Sequence, residues 1–316
     1  MKNSPRRFLV LCLGATSLFA VGSLVVPATQ EETPEERAPH ERIDIPSLAA
    51  CGGCHAQVYR EWSKSLHAGA WTNKNVRTAT NDFRKKSCRP CHSPRSVFET
   101  GFDVAPAFRN VNQLDGVHCL SCHGLEHGVA AARTLPDAPC NPIRETRLLQ
   151  ADHCFPCHEP THQAFQEYRT SDAHALGLRC VDCHMQVRAD GSGRSHGSHG
   201  GLNPKFVGRA IAWVAKRSDE GIVLVVRNRT GHKFPGEIPS RSFVIQVEIE
   251  GQESRTVLLR KPFRGEDRED NRLRPDEERR LVFEIGKGAT ARVRLFFLPY
   301  PLLPLEQGFL LGETVL

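Results

Sequence analysis

The sequence predicts an α + β multidomain protein: a mostly helical or irregular domain rich in cysteine and histidine, then a small antiparallel β-sandwich-like domain. Two observations carry this. Between Cys51 and His184 one pentapeptide recurs five times, in a short stretch that leaves little chain for an ordinary side-chain core. From about residue 205 the cysteines stop, and β-branched, period-two runs separated by turn residues take over.

The recurring pentapeptide is Cys51-Gly-Gly-Cys54-His55, Cys88-Arg-Pro-Cys91-His92, Cys119-Leu-Ser-Cys122-His123, Cys154-Phe-Pro-Cys157-His158 and Cys180-Val-Asp-Cys183-His184. Cys-x-x-Cys-His is the attachment signature of c-type haem: two thiols join the haem vinyl groups, and the histidine gives its imidazole to one axial face of the iron. Zinc knuckles and redox dithiols do not require a histidine at the fifth position, yet each pair here has one. The expected cofactors are five covalently bound haem c. Their attachment residues are the ten motif cysteines, and the proximal ligands are His55, His92, His123, His158 and His184. The haems themselves must form most of the core, with a thin protein wrap.

Bulk properties agree. Of 316 residues 39% are hydrophobic and 7% aromatic. The formal charge of +6 includes Lys2, Arg6 and Arg7. Ten haem propionates would offset the remainder, so the basic balance is no sign of a nucleic-acid partner. Twelve cysteines less the motif ten leave Cys12 and Cys140, and the second reads as a buried or inert thiol.

In chain order, residues 1–28 read as a signal peptide. Lys2, Arg6 and Arg7 precede the apolar run Phe8 to Val26, and Val26-Pro27-Ala28 suits cleavage. The run is also long enough to remain as an anchor and give membrane association. Residues 29–47, acidic and proline-bearing, read as a disordered linker. Residues 48–204 form the pentahaem domain, in which Gln57 to Trp71 reads as one helix and Ala189 to Gly201 as a Gly/Ser linker touching the haem module. Residues 205–316 form the β domain. Its strand candidates are Ile222–Val226, Phe243–Ile249, Thr256–Leu259, Arg280–Ile285 and Arg292–Phe297, with 299–316 as an apolar tail. Export implies a periplasmic or extracytoplasmic setting.

The far face of each iron separates wire from catalyst. Met185 is the single methionine after the leader and adjoins His184, so histidine must serve. The distal candidates are His67, His118, His174, His196 and His232, with His153 and His199 as rivals and His127 and His162 in reserve. His67 and His174 close two copies of one phrase, Glu61-Trp62-x-x-Ser65-Leu66-His67 and Glu167-Tyr168-x-x-Ser171-Asp172-Ala173-His174. His232 sits in the turn Thr230-Gly231-His232-Lys233-Phe234-Pro235.

The motif order, the Trp-x-x-Ser-x-His phrase, Gly116-Val117-His118-Cys119 and Cys183-His184-Met185 resemble the cytochrome c554 family, relatives of hydroxylamine oxidoreductase and pentahaem nitrite reductase. The likeness runs over about residues 48–298. His196, four residues before Gly200-Gly201, fits the family pattern better than His199. Pro235 is followed by Gly236-Glu237 rather than the family's Thr-Gly, which implies a differently shaped loop. The Cys-x-x-Cys-Lys motif of the nitrite reductases is absent, and Tyr59, Tyr168 and Tyr300 offer no match to the oxidoreductase's crosslinking tyrosine. The resemblance therefore implies the scaffold more than a chemistry. The expected function is electron transfer between redox partner proteins through mostly bis-His haems; the alternative is an oxidoreductase of nitrogen or sulfur oxyanions at one five-coordinate haem. The residues do not decide whether the chain is an enzyme.

Overall fold

Each motif has most of its residues in a short helix. The computed structural model describes residues 48–316 except 240, 287 and 301–302, with backbone alone at 159–162. The predicted signal peptide and acidic linker, with Cys12 and His40, lie outside the described residues. The helices are α1 (Leu48–Cys54), α2 (Ala56–Ser63), α3 (Lys74–Thr80), α4 (Arg89–His92), α5 (Val97–Thr100), α6 (Cys119–His123), α7 (Phe155–His162), α8 (Ala164–Arg169), α9 (Asp172–Ala175), α10 (Cys180–His184) and α11 (Pro204–Gly208). The longest have 8 residues. Helices of this length cannot hold themselves together in water and depend on what they pack against. Among the described residues no helix is long and apolar enough to cross a membrane.

The predicted helix over 57–71 is cut short. α2 ends at Ser63, and a separate turn of 3-10 helix covers Ala68–Ala70. Serine competes with helical hydrogen bonding: the buried Ser65 accepts the Ala68 N–H at 3.3 Å and starts the second turn. The Ala189–Gly201 stretch is likewise no loose linker. Val187 bridges Arg194, and Arg194 donates to the Val181 and Met185 carbonyls, at 2.9 and 3.1 Å. A small sheet that the sequence did not suggest, β1 (Gly124–Leu125), β2 (Gly128–Ala131) and β3 (Pro142–Arg144), follows the third motif.

Among the described residues the C-terminal part has seven strands: β4 (Ile211–Ser218), β5 (Gly221–Asn228), β6 (Ser242–Ile249), β7 (Arg255–Arg260), β8 (Glu278–Phe283), β9 (Ala291–Leu298) and β10 (Phe309–Val315). Antiparallel pairing arranges them as β10-β9-β6-β7 and β4-β5-β8. Ile222, Leu224 and Val226 of one sheet and Phe243, Ile245, Val293, Leu295 and Phe297 of the other share a single buried cluster. The two sheets thus face each other as a sandwich. All five predicted strands are present. Two more were missed: β4, an edge strand of mixed composition, and β10, which turns the expected tail into a strand paired with β9. Gly312 in β10 has a packing role, because a β-carbon there would collide with the Trp213 indole of β4.

Candidate haem-binding site

Four histidines share one hydrogen-bonding habit, and His232 has a longer version of it, with Nδ1 3.3 Å from the Lys233 carbonyl. His92 Nδ1 lies 2.8 Å from the Ala70 carbonyl, His123 Nδ1 2.7 Å from that of Ala130, and His184 Nδ1 2.6 Å from that of His199. His196 Nδ1 lies 3.0 Å from the Arg194 carbonyl. A carbonyl only accepts, so each Nδ1 carries the proton and Nε2 keeps the lone pair. That is the tautomer an iron requires, fixed by a partner outside its coordination shell.

Three proximal candidates meet three distal ones. Ring centroids are 6.3 Å apart for His67 and His158, 6.2 Å for His123 and His196, and 6.3 Å for His184 and His232. With metal–nitrogen bonds of about 2.0–2.1 Å, two imidazoles on opposite faces of one metal have centroids about 6 Å apart. Burial holds the His196 and His232 imidazoles down to about 4 and lowers His67 as well, so all three favour the neutral, ligating form. The donor set therefore fits haem iron.

The repeated phrase explains how two of these pairs are built. Trp62 Nε1 donates to the Val117 carbonyl at 2.8 Å, and Tyr168 Oη donates to the Leu178 carbonyl at 2.6 Å. Both carbonyls stand two residues before a motif cysteine, Cys119 and Cys180. The glutamates match too: Glu61 accepts the His196 N–H at 2.8 Å, and Glu167 accepts the Lys233 N–H, beside His232, at 2.7 Å. Each copy thus anchors one motif and the loop bringing the histidine that faces it. Arg188 pairs with Glu61 at 2.6 Å and holds its carboxyl down to about 2.

The second anchor is the seam between the haem segment and the sandwich. Arg272, its side chain fully buried, pairs with Asp270 at 2.7 Å and with Glu237, and approaches Glu167 at 3.6 Å. Lys261 meets Glu237 at 2.6 Å, and Lys233 meets Asp270 at 3.1 Å. Burial, then the nearby Glu237 charge, pushes the Glu167 carboxyl up to about 7. Sequence reading missed this cluster; the unusual Gly236-Glu237 after Pro235 was its one visible trace. Arg241 is a further omission. Its guanidinium occupies the space a side chain at Gly201 would need, lies near His184 and His232, and has a buried Nε with no partner among the described residues.

The remaining candidates are placed differently. His118 Nδ1 accepts the Ser121 N–H at 3.1 Å and caps α6. His174 is exposed on α9, its ring edge-on to Tyr168 at 5.0 Å. His199 serves through its carbonyl, while its Nδ1 lies 3.1 Å from Asn203 Nδ2. His127 is exposed, and the side chain of His162 lies outside the described residues. Motif thiols of different helices touch: Cys51 with Cys119, Cys91 with Cys157, and Cys154 with Cys180. The motifs are therefore side by side, first with third, second with fourth, fourth with fifth. Cys140 is half-buried near Cys51.

Residues 50–124 match the family described as cytochrome c554 and c-prime. The fold is similar to the crystal structure of a penta-heme cytochrome c552 from Thermochromatium tepidum, at 20% identity and a TM-score of 0.65, over 87% of this chain and 100% of that one. No curated protein matches the chain. The matched segment carries the first three of the five motifs, and the fold over most of the chain is similar to that of a penta-heme cytochrome, so the chain resembles multihaem cytochromes c, whose Cys-x-x-Cys-His motifs bind haem covalently.

Proposed function

We propose that the chain is an exported pentahaem cytochrome that carries single electrons between redox partner proteins, with mostly bis-histidine ligation. The observation that carries this reading is the set of three imidazole pairs at 6.2 to 6.3 Å. The count of five rests on the ten motif cysteines and on the penta-heme neighbour. Covalently held haem supplies reversible one-electron chemistry, with potentials set by axial ligands, hydrogen bonds and burial. The chain's own residues do the rest. The carbonyls of Ala70, Ala130, Arg194 and His199 orient the imidazoles, and Glu61 and Glu167 hold the loops of His196 and His232. Arg241, half-buried near His184 and His232, is the cation suited to a haem propionate. Export rests on the signal-peptide reading of residues 1–28, and an uncleaved leader would add membrane association. Nucleic acid is not an expected partner.

Single substitutions test the pairing. His67→Ala, His196→Ala and His232→Ala should each convert one low-spin haem to high spin in low-temperature EPR, with the haem content per chain unchanged. Low-spin spectra identical to that of the wild-type protein in all three would refute it. The oxyanion-oxidoreductase alternative is best tested at the second motif, where His92 has the Phe83 ring at 5.5 Å as its aromatic neighbour. A wild-type high-spin signal perturbed by nitrite or hydroxylamine would favour that alternative.

A further inference from the structure

His153 ends a 3-10 turn, Ala151–His153, directly before the fourth motif. Its residue is 9% exposed, and its ring lies against Phe98 at 5.5 Å and Phe102 at 5.9 Å. Both ring nitrogens are buried without a hydrogen-bond partner among the described residues. Buried polar groups are paired as a rule, and an imidazole with neither nitrogen paired points to a ligand that takes its lone pair. His118, which also directly precedes a motif cysteine, makes the contrast. A neutral imidazole has one lone-pair nitrogen, and His118 uses its own to accept from Ser121.

We propose that His153 is an axial iron ligand, completing the haem of the first motif. The inference rests on the bis-histidine reading above. Phe98 belongs to α5, which is tied to the end of α6 by the Ser96 hydroxyl donating to the Gly124 carbonyl at 2.5 Å. His123 of α6 is an electrostatic neighbour of both His153 and His55. Cys51 of the first motif touches Cys119 of the third. His153 therefore stands where the first and third motifs adjoin. His196 already faces His123, which leaves the first motif's iron to His153.

The test compares His153→Ala, His153→Met and His118→Ala in the full-length, haem-loaded protein by haem content, low-temperature EPR and redox titration. His153→Ala should keep its haem content, lose one low-spin component and gain a high-spin signal of about one haem, reversed by added imidazole. His153→Met should stay six-coordinate with one potential raised, since methionine–histidine ligation raises the potential. An unchanged spin state in His153→Ala, even with a shifted potential, would make His153 a hydrogen-bond partner and overturn the proposal. So would a loss of low-spin signal in His118→Ala alone. If His153→Ala fails to take up haem, His153→Met decides, and a spectrum and potentials identical to the wild-type protein overturn the proposal. A largely high-spin wild-type protein would instead sink the bis-histidine reading itself.

Discussion

The haem segment and the sandwich are stabilised by opposite means. The sandwich buries a continuous apolar cluster drawn from both sheets, with Ile222, Leu224, Phe243, Ile245, Val293 and Leu295 at 0% exposure. The haem segment has a few buried apolar residues, such as the stacked pair Trp71 and Phe83, and Val97 and Val181, and none belongs to either apolar cluster. Its side chains are aimed instead: Nδ1–H groups at carbonyls, imidazoles at one another, thiols at thiols. One region carries its core in its sequence, and the other is built to receive one.

The largest expected effect follows from this difference. A chain expressed without haem attachment should lose the helical far-UV signature of the first region and keep the β signature of the second. Retention of full helical content without haem would break the comparison. Next in size, Phe297→Ala should cost about 3–5 kcal/mol in thermal or denaturant unfolding, as large-to-small changes in packed cores do. At ambient temperature its haem spectrum should remain native. A change of similar size at the exposed Val104 of the haem segment would contradict the contrast.

The seam should respond to pH. The Glu167 carboxyl is raised to about 7 in the folded state by burial and by Glu237, so folding takes up a proton there. That contribution is complete below the ordinary glutamate range and is lost as pH rises through about 7. Glu237 and Asp270, though buried, are held low by Lys261, Arg272 and Lys233, and act in the opposite, acid direction. Glu167→Gln should therefore flatten the stability loss between pH 5 and about 8, read as melting temperature against pH. An unaltered slope would remove Glu167 from that role. The smallest effects belong to the repeated anchors. Trp62→Phe and Tyr168→Phe each delete one hydrogen bond, partly buried for Trp62 and exposed for Tyr168, for at most about 0.5–1.5 kcal/mol. Each should disturb the haem of the motif it anchors, the third or the fifth. Disturbance of the same haem by both would argue against a true repeat.

Much of this was legible because it is written in local pattern. Five Cys-x-x-Cys-His copies announced the cofactor, and alternation in Phe243–Ile249 and Arg292–Phe297 announced strands. The likeness of Glu61–His67 to Glu167–His174 was visible too, and its glutamates and aromatics do equivalent work. Its histidines do not: His67 faces His158, while His174 stays exposed. What was illegible depends on distant partners. β4 and β10 look unremarkable alone, because Trp213 and Gly312 have meaning only against each other. His118 and His153 occupy the same place relative to a motif, yet one finds Ser121 and the other finds no protein partner among the described residues. The Arg272 cluster joins positions 35 and 2 residues from the guanidinium's own, a closure no local spacing reveals.

The measurement that bears most directly on the central claim is low-temperature EPR of the oxidised wild-type protein, with haem quantified per chain. A bis-histidine electron carrier should show five haems, at least four of them low-spin with bis-imidazole signals. Fewer than five haems, or high-spin iron at two or more, would contradict it.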